Sequence, residues 1–211
     1  DLDLSHLGNF TPIGGAFSES GIVSGNNVFS GTFDGRGHTI RGLTMTFSES
    51  SRAHAGLFGS VGSDDPADPA VIRNLMKEVD LRGQFSDVYT MGALAGQVSG
   101  YVIIDEIALL SGSVTAASGG STLGVGGLIG QIRTNTDTGC TNEGVYITDV
   151  YCGLQVEGHS TDVTGALIGR IRASDLGELS RVVITGQART GEGKGRAVCG
   201  GDSVPAVSEN V

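Results

Sequence analysis

A chain of 211 residues with 36 glycines, four prolines and no tryptophan fits one or two ordinary domains. Its glycine content excludes long helices, because glycine inside a helix costs about 1 kcal/mol relative to alanine. A net charge of −10 disfavours binding to phosphate backbones, and no apolar run reaches the roughly 18 residues that a membrane-spanning helix needs.

In chain order, residues 1–28 read as a lead-in or cap. Asp1 is not a start methionine and no signal-peptide pattern follows it, so the chain is expected to be a mature product or an excised piece. The segment Phe33-Asp34-Gly35-Arg36-Gly37-His38 brings an acid, a base and an imidazole together. A structural role is the stronger reading. Asp-Gly and Arg-Gly are turn dipeptides, Asp34 can accept from nearby amides, and Phe33 and Ile40 would face a core from either side.

A short pattern, small-x-Leu-apolar-Gly in its commonest form, then begins to recur. Its copies are Ala55-Gly56-Leu57-Phe58-Gly59, Gly92-Ala93-Leu94-Ala95-Gly96, Gly126-Gly127-Leu128-Ile129-Gly130 and Gly165-Ala166-Leu167-Ile168-Gly169. Their closing glycines fall 37, 34 and 39 residues apart. Arg196-Ala197-Val198-Cys199-Gly200 is a degraded fifth copy.

Between the first two copies lies a proline-broken acidic loop. Its Asp64, Asp65 and Asp68 are candidate calcium ligands, although they lack the Asp-x-Asp-x-Asp-Gly spacing of a dedicated loop. A solvated loop is the plainer reading.

After each copy comes an extended segment: Val71-Ile72-Arg73-Asn74-Leu75, Val102-Ile103-Ile104-Asp105-Glu106-Ile107, Val145-Tyr146-Ile147-Thr148-Asp149-Val150 and Leu179-Ser180-Arg181-Val182-Val183. Asn74, Asp105, Asp149 and Arg181 read as one equivalent slot. Stacked in a column, Asp105 and Asp149 would repel one another if both were ionised. They would point to solvent, one would be protonated or a cation would sit between them, and they are the best candidates for enzymatic acid–base chemistry. Cys140 and Cys152, twelve residues apart, read either as a disulfide or as buried thiols, with Cys199 left over. The four histidines show no metal-ligand spacing.

Rows of four to six alternating residues are too small to bury alone. Stacked at the strand spacing of about 4.8 Å, they join into one core. The expected fold is therefore all-β: a single parallel β-solenoid, or β-helix, over residues 1–211, with about five coils and loops inserted at the rim. Residues 29–191 hold the coils, and 192–211 hold a degraded last coil or a C-terminal tail. A β-sandwich is the competing fold, but it does not require one pentapeptide to recur.

Phe10-Thr11-Pro12-Ile13-Gly14-Gly15, the run Phe29-Ser30-Gly31-Thr32-Phe33-Asp34-Gly35-Arg36-Gly37-His38-Thr39-Ile40-Arg41-Gly42-Leu43, Gly56-Leu57-Phe58-Gly59 and Ile72-Arg73-Asn74-Leu75 resemble the GLUG-motif repeat of bacterial surface proteins, adhesins among them. The resemblance implies a right-handed solenoid in an exported protein, extracellular or at the cell surface, and carries over no catalytic residue.

The expected function is a non-catalytic structural or binding module, an adhesin or a spacer. Its partners would be a glycan, a protein ligand or neighbouring domains. It would use no cofactor unless calcium binds, and neither nucleic acid nor membrane insertion is expected. Alternatives are a polysaccharide-active enzyme using Asp105 and Asp149, and a self-assembling filament or pilus-associated subunit whose open ends pair end to end.

Overall fold

The computed structural model describes residues 1–7, 10–14, 28–47, 54–84, 90–117, 124–133, 144–159, 163–171, 176–191 and 195–202. Strands and no helix occur among them. β1 (Leu2–Asp3) is followed by a first unit of β2 (Thr32–Phe47), β3 (His54–Ala55) and β4 (Phe58–Ser63). The second unit is β5 (Ala70–Gln84), β6 (Thr90–Gly92) and β7 (Ala95–Gly100), and the third is β8 (Val102–Ala117), β9 (Gly124–Gly126) and β10 (Ile129–Ile132). In the fourth, β11 (Val145–Cys152) and β12 (Gln155–Gly158) replace one long strand, before β13 (Thr164–Gly165) and β14 (Ile168–Ile171). β15 (Leu176–Ile184), β16 (Gln187–Thr190) and β17 (Cys199–Asp202) complete the series.

The strands form three sheets in which every pairing is parallel. The long sheet runs β1-β2-β5-β8-β11-β15, with β12 between β8 and β16. The second sheet runs β4-β7-β10-β14-β17, and the short sheet β3-β6-β9-β13. In the units that carry all three, the chain visits the long, short and second sheets in that order, and each strand pairs with its counterpart one unit away.

The core follows from the alternation. In β11, Val145, Ile147, Val150 and Cys152 point inward while Tyr146, Asp149 and Tyr151 are exposed. Ile72, Ile104, Ile147 and Leu179 form one inward row by register, the first three fully buried. Leu57, Leu94, Leu128 and Leu167 are all buried and make a second row. Their amides donate to the next unit: Leu57 to the Ala93 carbonyl at 3.2 Å, Leu94 to Leu128 at 3.0 Å and Leu128 to Leu167 at 2.8 Å. The recurring pentapeptide is thus the turn between the short and second sheets, with its leucine inside.

The closing glycine has its own reason. A Cβ on Gly130 would lie 2.5 Å from the Met91 nitrogen and 2.6 Å from the Gly96 carbonyl oxygen. Backbone of the second sheet meets backbone of the short sheet there, and no side chain fits between them.

The alternation breaks at an equivalent place in every unit of the long sheet. Ile147 and Val150 both face inward although two residues separate them. The chain makes the adjustment at Asp149, whose φ is +52°. Asn74, Glu106 and Arg181 do the same at +52° to +54°, while Arg36 at +51° is followed by Gly37 at +72° in a wider bulge.

This corrects the slot read from the sequence. Asp105 does not share a column with Asn74, Asp149 and Arg181; Glu106 does. The register pairs Arg73 with Asp105 and Asp105 with Thr148, while Leu75, Ile107 and Val150 align. Asp105 therefore stands one column earlier, with Asp34, Arg73, Thr148 and Ser180. From the second unit on, the bend falls immediately before the apolar residue that returns to the core. That position decides the slot, although aspartate enters the left-handed region more readily than glutamate.

Both ends of the repeat extend the ladders. Leu2 pairs with Ile40, Ile13 bridges to Phe58 and Phe29 bridges to Val61, so parts of the lead-in lie on the first unit. The degraded fifth copy pairs Cys199 with Ile168.

Candidate functional site

The outward face of the long sheet gathers Asp34, Asn74, Asp105, Asp149 and Arg181, together with residues not singled out above. Three outward columns are set by register. One holds Val71, Ile103, Tyr146 and Glu178. The next holds Asp34, Arg73, Asp105, Thr148 and Ser180, with the five bend residues beside it. Beyond the bend stand Met76, Ala108, Tyr151 and Val183.

Three carboxylates on this ridge, those of Asp34, Asp105 and Asp149, are engaged by a side chain one layer away. Asp34 accepts from Asn74 Nδ2 at 3.0 Å, from Arg73 Nε at 3.1 Å and from the Arg36 amide at 2.9 Å. These donors, Asn74 foremost, hold its carboxyl below the usual carboxylate range. The Asp34-to-His38 segment thus serves as a bend, as the turn dipeptides imply.

Asp105, half-buried, accepts from the Thr148 hydroxyl. Asp149 takes both arms of Arg181, Nε at 2.7 Å and Nη2 at 2.6 Å, and this guanidinium lowers its pKa. Ser180 donates to Glu178 Oε1 at 2.6 Å. Asp105 and Asp149 thus lie on adjacent strands in neighbouring columns, each with its own partner. A carboxylate kept ionised by a guanidinium is a poor proton donor, which weighs against Asp149 as a general acid.

The acidic loop is organised by its own hydrogen bonds. Asp65 accepts from the Ala67 amide at 2.8 Å, and the Ser63 hydroxyl donates to the Asp68 carbonyl at 2.7 Å. Among the described residues no three His, Cys, Asp or Glu side chains come together as a metal site, Asp64, Asp65 and Asp68 included. Cys152 is a free, buried thiol that donates to the Ala166 carbonyl at 3.4 Å, and burial pushes its pKa up. Cys140, its expected partner in a disulfide, lies outside the described residues.

Sequence reasoning assigns no role to four further residues. Lys77 has no exposed surface and donates to the Ala93 carbonyl at 2.7 Å; desolvation lowers its pKa to about 7. The Nδ1 of His54 is 2.7 Å from the Thr90 hydroxyl, and burial, helped by Arg133, brings its pKa to about 4. Tyr146 and Tyr151 stand at outward positions of an alternating strand, each beside a glycine. Parity from the core residues Leu75 and Val150 places Lys77 and Tyr151; nothing in the spacing marks His54.

Tyr151 ties its hydroxyl to Thr185 Oγ1 at 2.8 Å. The ring of Tyr146 lies across backbone: a Cβ on Gly144 would sit 2.6 Å from its Cε2, and one on Gly177 would sit 3.1 Å from its Cζ. Compared with protein families, with curated proteins and with solved structures, the chain finds no match.

Proposed function

We propose that the chain is a right-handed β-solenoid of about five coils, acting as a non-catalytic binding or spacer module of an exported, surface-displayed protein. The observation that carries this reading is the unbroken parallel ladder from β2 to β15, repeated in step by the other two sheets. Such a stack presents a long, rigid face on which side chains recur at the strand spacing of about 4.8 Å. The handedness and the exported setting rest on the resemblance of residues 29–43 to GLUG repeats. Ligand binding belongs on the outward face of the long sheet, where aromatic rings, hydroxyls and paired charges stand side by side.

The competing reading is a polysaccharide-active enzyme using Asp105 and Asp149. Geometry favours binding, because both carboxylates are committed to neighbours. A panel of glycans and surface proteins, assayed for retention and for turnover with and without calcium, separates the two. Retention without turnover is expected. Turnover lost in Asp105→Ala overturns the binding-module reading.

A further inference from the structure

We propose that Tyr146 is the floor of a subsite for a neutral sugar ring; this rests on the binding-module reading above. The site is built by the backbone on either side of the tyrosine. Gly144 precedes β11, and Gly177 lies on the next layer, where the pairing slips: Val145 faces Leu176, but Tyr146 faces Glu178. Gly177 is the extra residue of that irregularity. Such a bulge re-aims neighbouring side chains. With glycine at both places the phenol ring settles over bare backbone, and a Cβ at either would meet it at 3.1 Å or less. The residue nevertheless keeps 44% of its surface exposed. One side of the ring is held by the protein, and the rest is offered to solvent. Val71 and Ile103, in the same column, offer only aliphatic surface.

The surroundings choose the ligand. Thr148 spends its proton on Asp105, and Ser180 spends its proton on Glu178. By register, two hydroxyl–carboxylate pairs therefore stand in the column of Tyr146 and the column next to it, each with acceptor lone pairs beyond the one its hydroxyl fills. A ligand that fits brings an apolar face for the aromatic surface and hydroxyl donors at its edge, which describes a neutral pyranose. A uronate or a sulfated sugar meets Asp105, Glu178 and a chain of net charge −10, while the nearby Arg181 is already engaged at both arms by Asp149. Tyr151 is the internal contrast: its hydroxyl is bound to Thr185, and its column neighbours are Ala108 and Val183.

The test is affinity electrophoresis of the whole chain in gels containing dextran, laminarin, galactomannan or hydroxyethylcellulose, with polygalacturonate as the anionic probe. At least one neutral polymer should retard the protein. Tyr146→Ala should weaken that retardation roughly tenfold or more, the size expected when a central aromatic contact is lost. Tyr146→Phe and Tyr151→Ala should keep it. Glu178→Ala, at an exposed side chain, should weaken it without disturbing the fold, which covers the case in which Tyr146→Ala fails to fold.

Retardation that persists in a folded Tyr146→Ala, or that is stronger with polygalacturonate, overturns the subsite and leaves the binding-module reading intact. If none of the neutral polymers retards the chain, the sugar subsite is again overturned. A further failure with every protein ligand of the wider panel removes the binding-module reading as well.

Discussion

Lys77 sits in a row of aliphatic neighbours. Ile40 and Leu109 flank it in register, and its one hydrogen bond goes to a backbone carbonyl. Its pKa falls from 10.5 to about 7 through desolvation alone, with no carboxylate to offset it. In the unfolded chain the amine stays protonated up to about pH 10.5, whereas in the folded protein it releases its proton near 7. Between those values the unfolded state binds more protons, so stability rises with pH, and the full penalty applies below about 7. The penalty is on the order of 5 kcal/mol. Lys77→Met keeps the volume and removes the charge. It should be more stable than the parent at about pH 6, with a gain that shrinks toward about pH 10, as read by urea denaturation at each pH. An unchanged or lowered midpoint at acid pH contradicts the desolvation account. Parity makes the burial of Lys77 legible: Leu75 is inward and two residues further is inward again. A lysine there is simply the residue type least expected.

At the scale of the element, the feature to explain is the bend in the long strands. Five non-glycine residues hold φ near +52°, in a region that L-residues enter at a cost of about 1–2 kcal/mol. Asn74 fits the slot best, since its short amide tolerates that geometry. Glu106 fits less well, and its side chain is exposed, so replacing it disturbs no packing. Glu106→Asn should raise the unfolding free energy by about 0.5–1 kcal/mol in urea titration, while Asp105→Asn, one column away, should bring no such gain.

The turn at the other side of each unit is stricter. Gly130→Ala places a methyl 2.5 Å from a backbone nitrogen, with no flexible side chain to yield. A loss of about 1–3 kcal/mol is expected for such overpacking, and a melting temperature equal to the parent's would show that the two sheets can part there.

These two elements also mark what could be read beforehand. The leucine and the closing glycine of the pentapeptide are legible, because one must be buried and the other must be bare. The bend column is legible at Asn74, Asp149 and Arg181 and is out of phase in one unit, where residue type points to Asp105 while position requires Glu106. Tyr146 was hidden for a different reason. Its role depends on Gly177, a residue 31 positions away that becomes its neighbour only through the register of β11 and β15.

At the scale of the whole molecule, each layer rests on its neighbours, so stability should vary with position along the stack. Where units contact only the next unit, a layer's protection depends on how many sides are covered. β8 has β5 on one side and β11 on the other, with Ile104, Ile107 and Leu109 at or near zero exposure. β15 pairs with β11 alone among the described strands, and its inward residues Leu179, Val182 and Ile184 are only partly buried. Val183 beside them is 55% exposed. Hydrogen exchange should therefore be slowest in β8 and β11 and faster in β15 and β16, because local opening needs fewer contacts broken there. Core truncations should follow the same gradient. Ile104→Ala removes a fully covered side chain and should cost about 2–5 kcal/mol, whereas Leu179→Ala in the same inward row should cost clearly less. Equal costs at the two sites, together with uniform exchange across the long sheet, would mean that the molecule unfolds as one indivisible unit. The layered ladder would then describe its shape without describing how its stability is distributed.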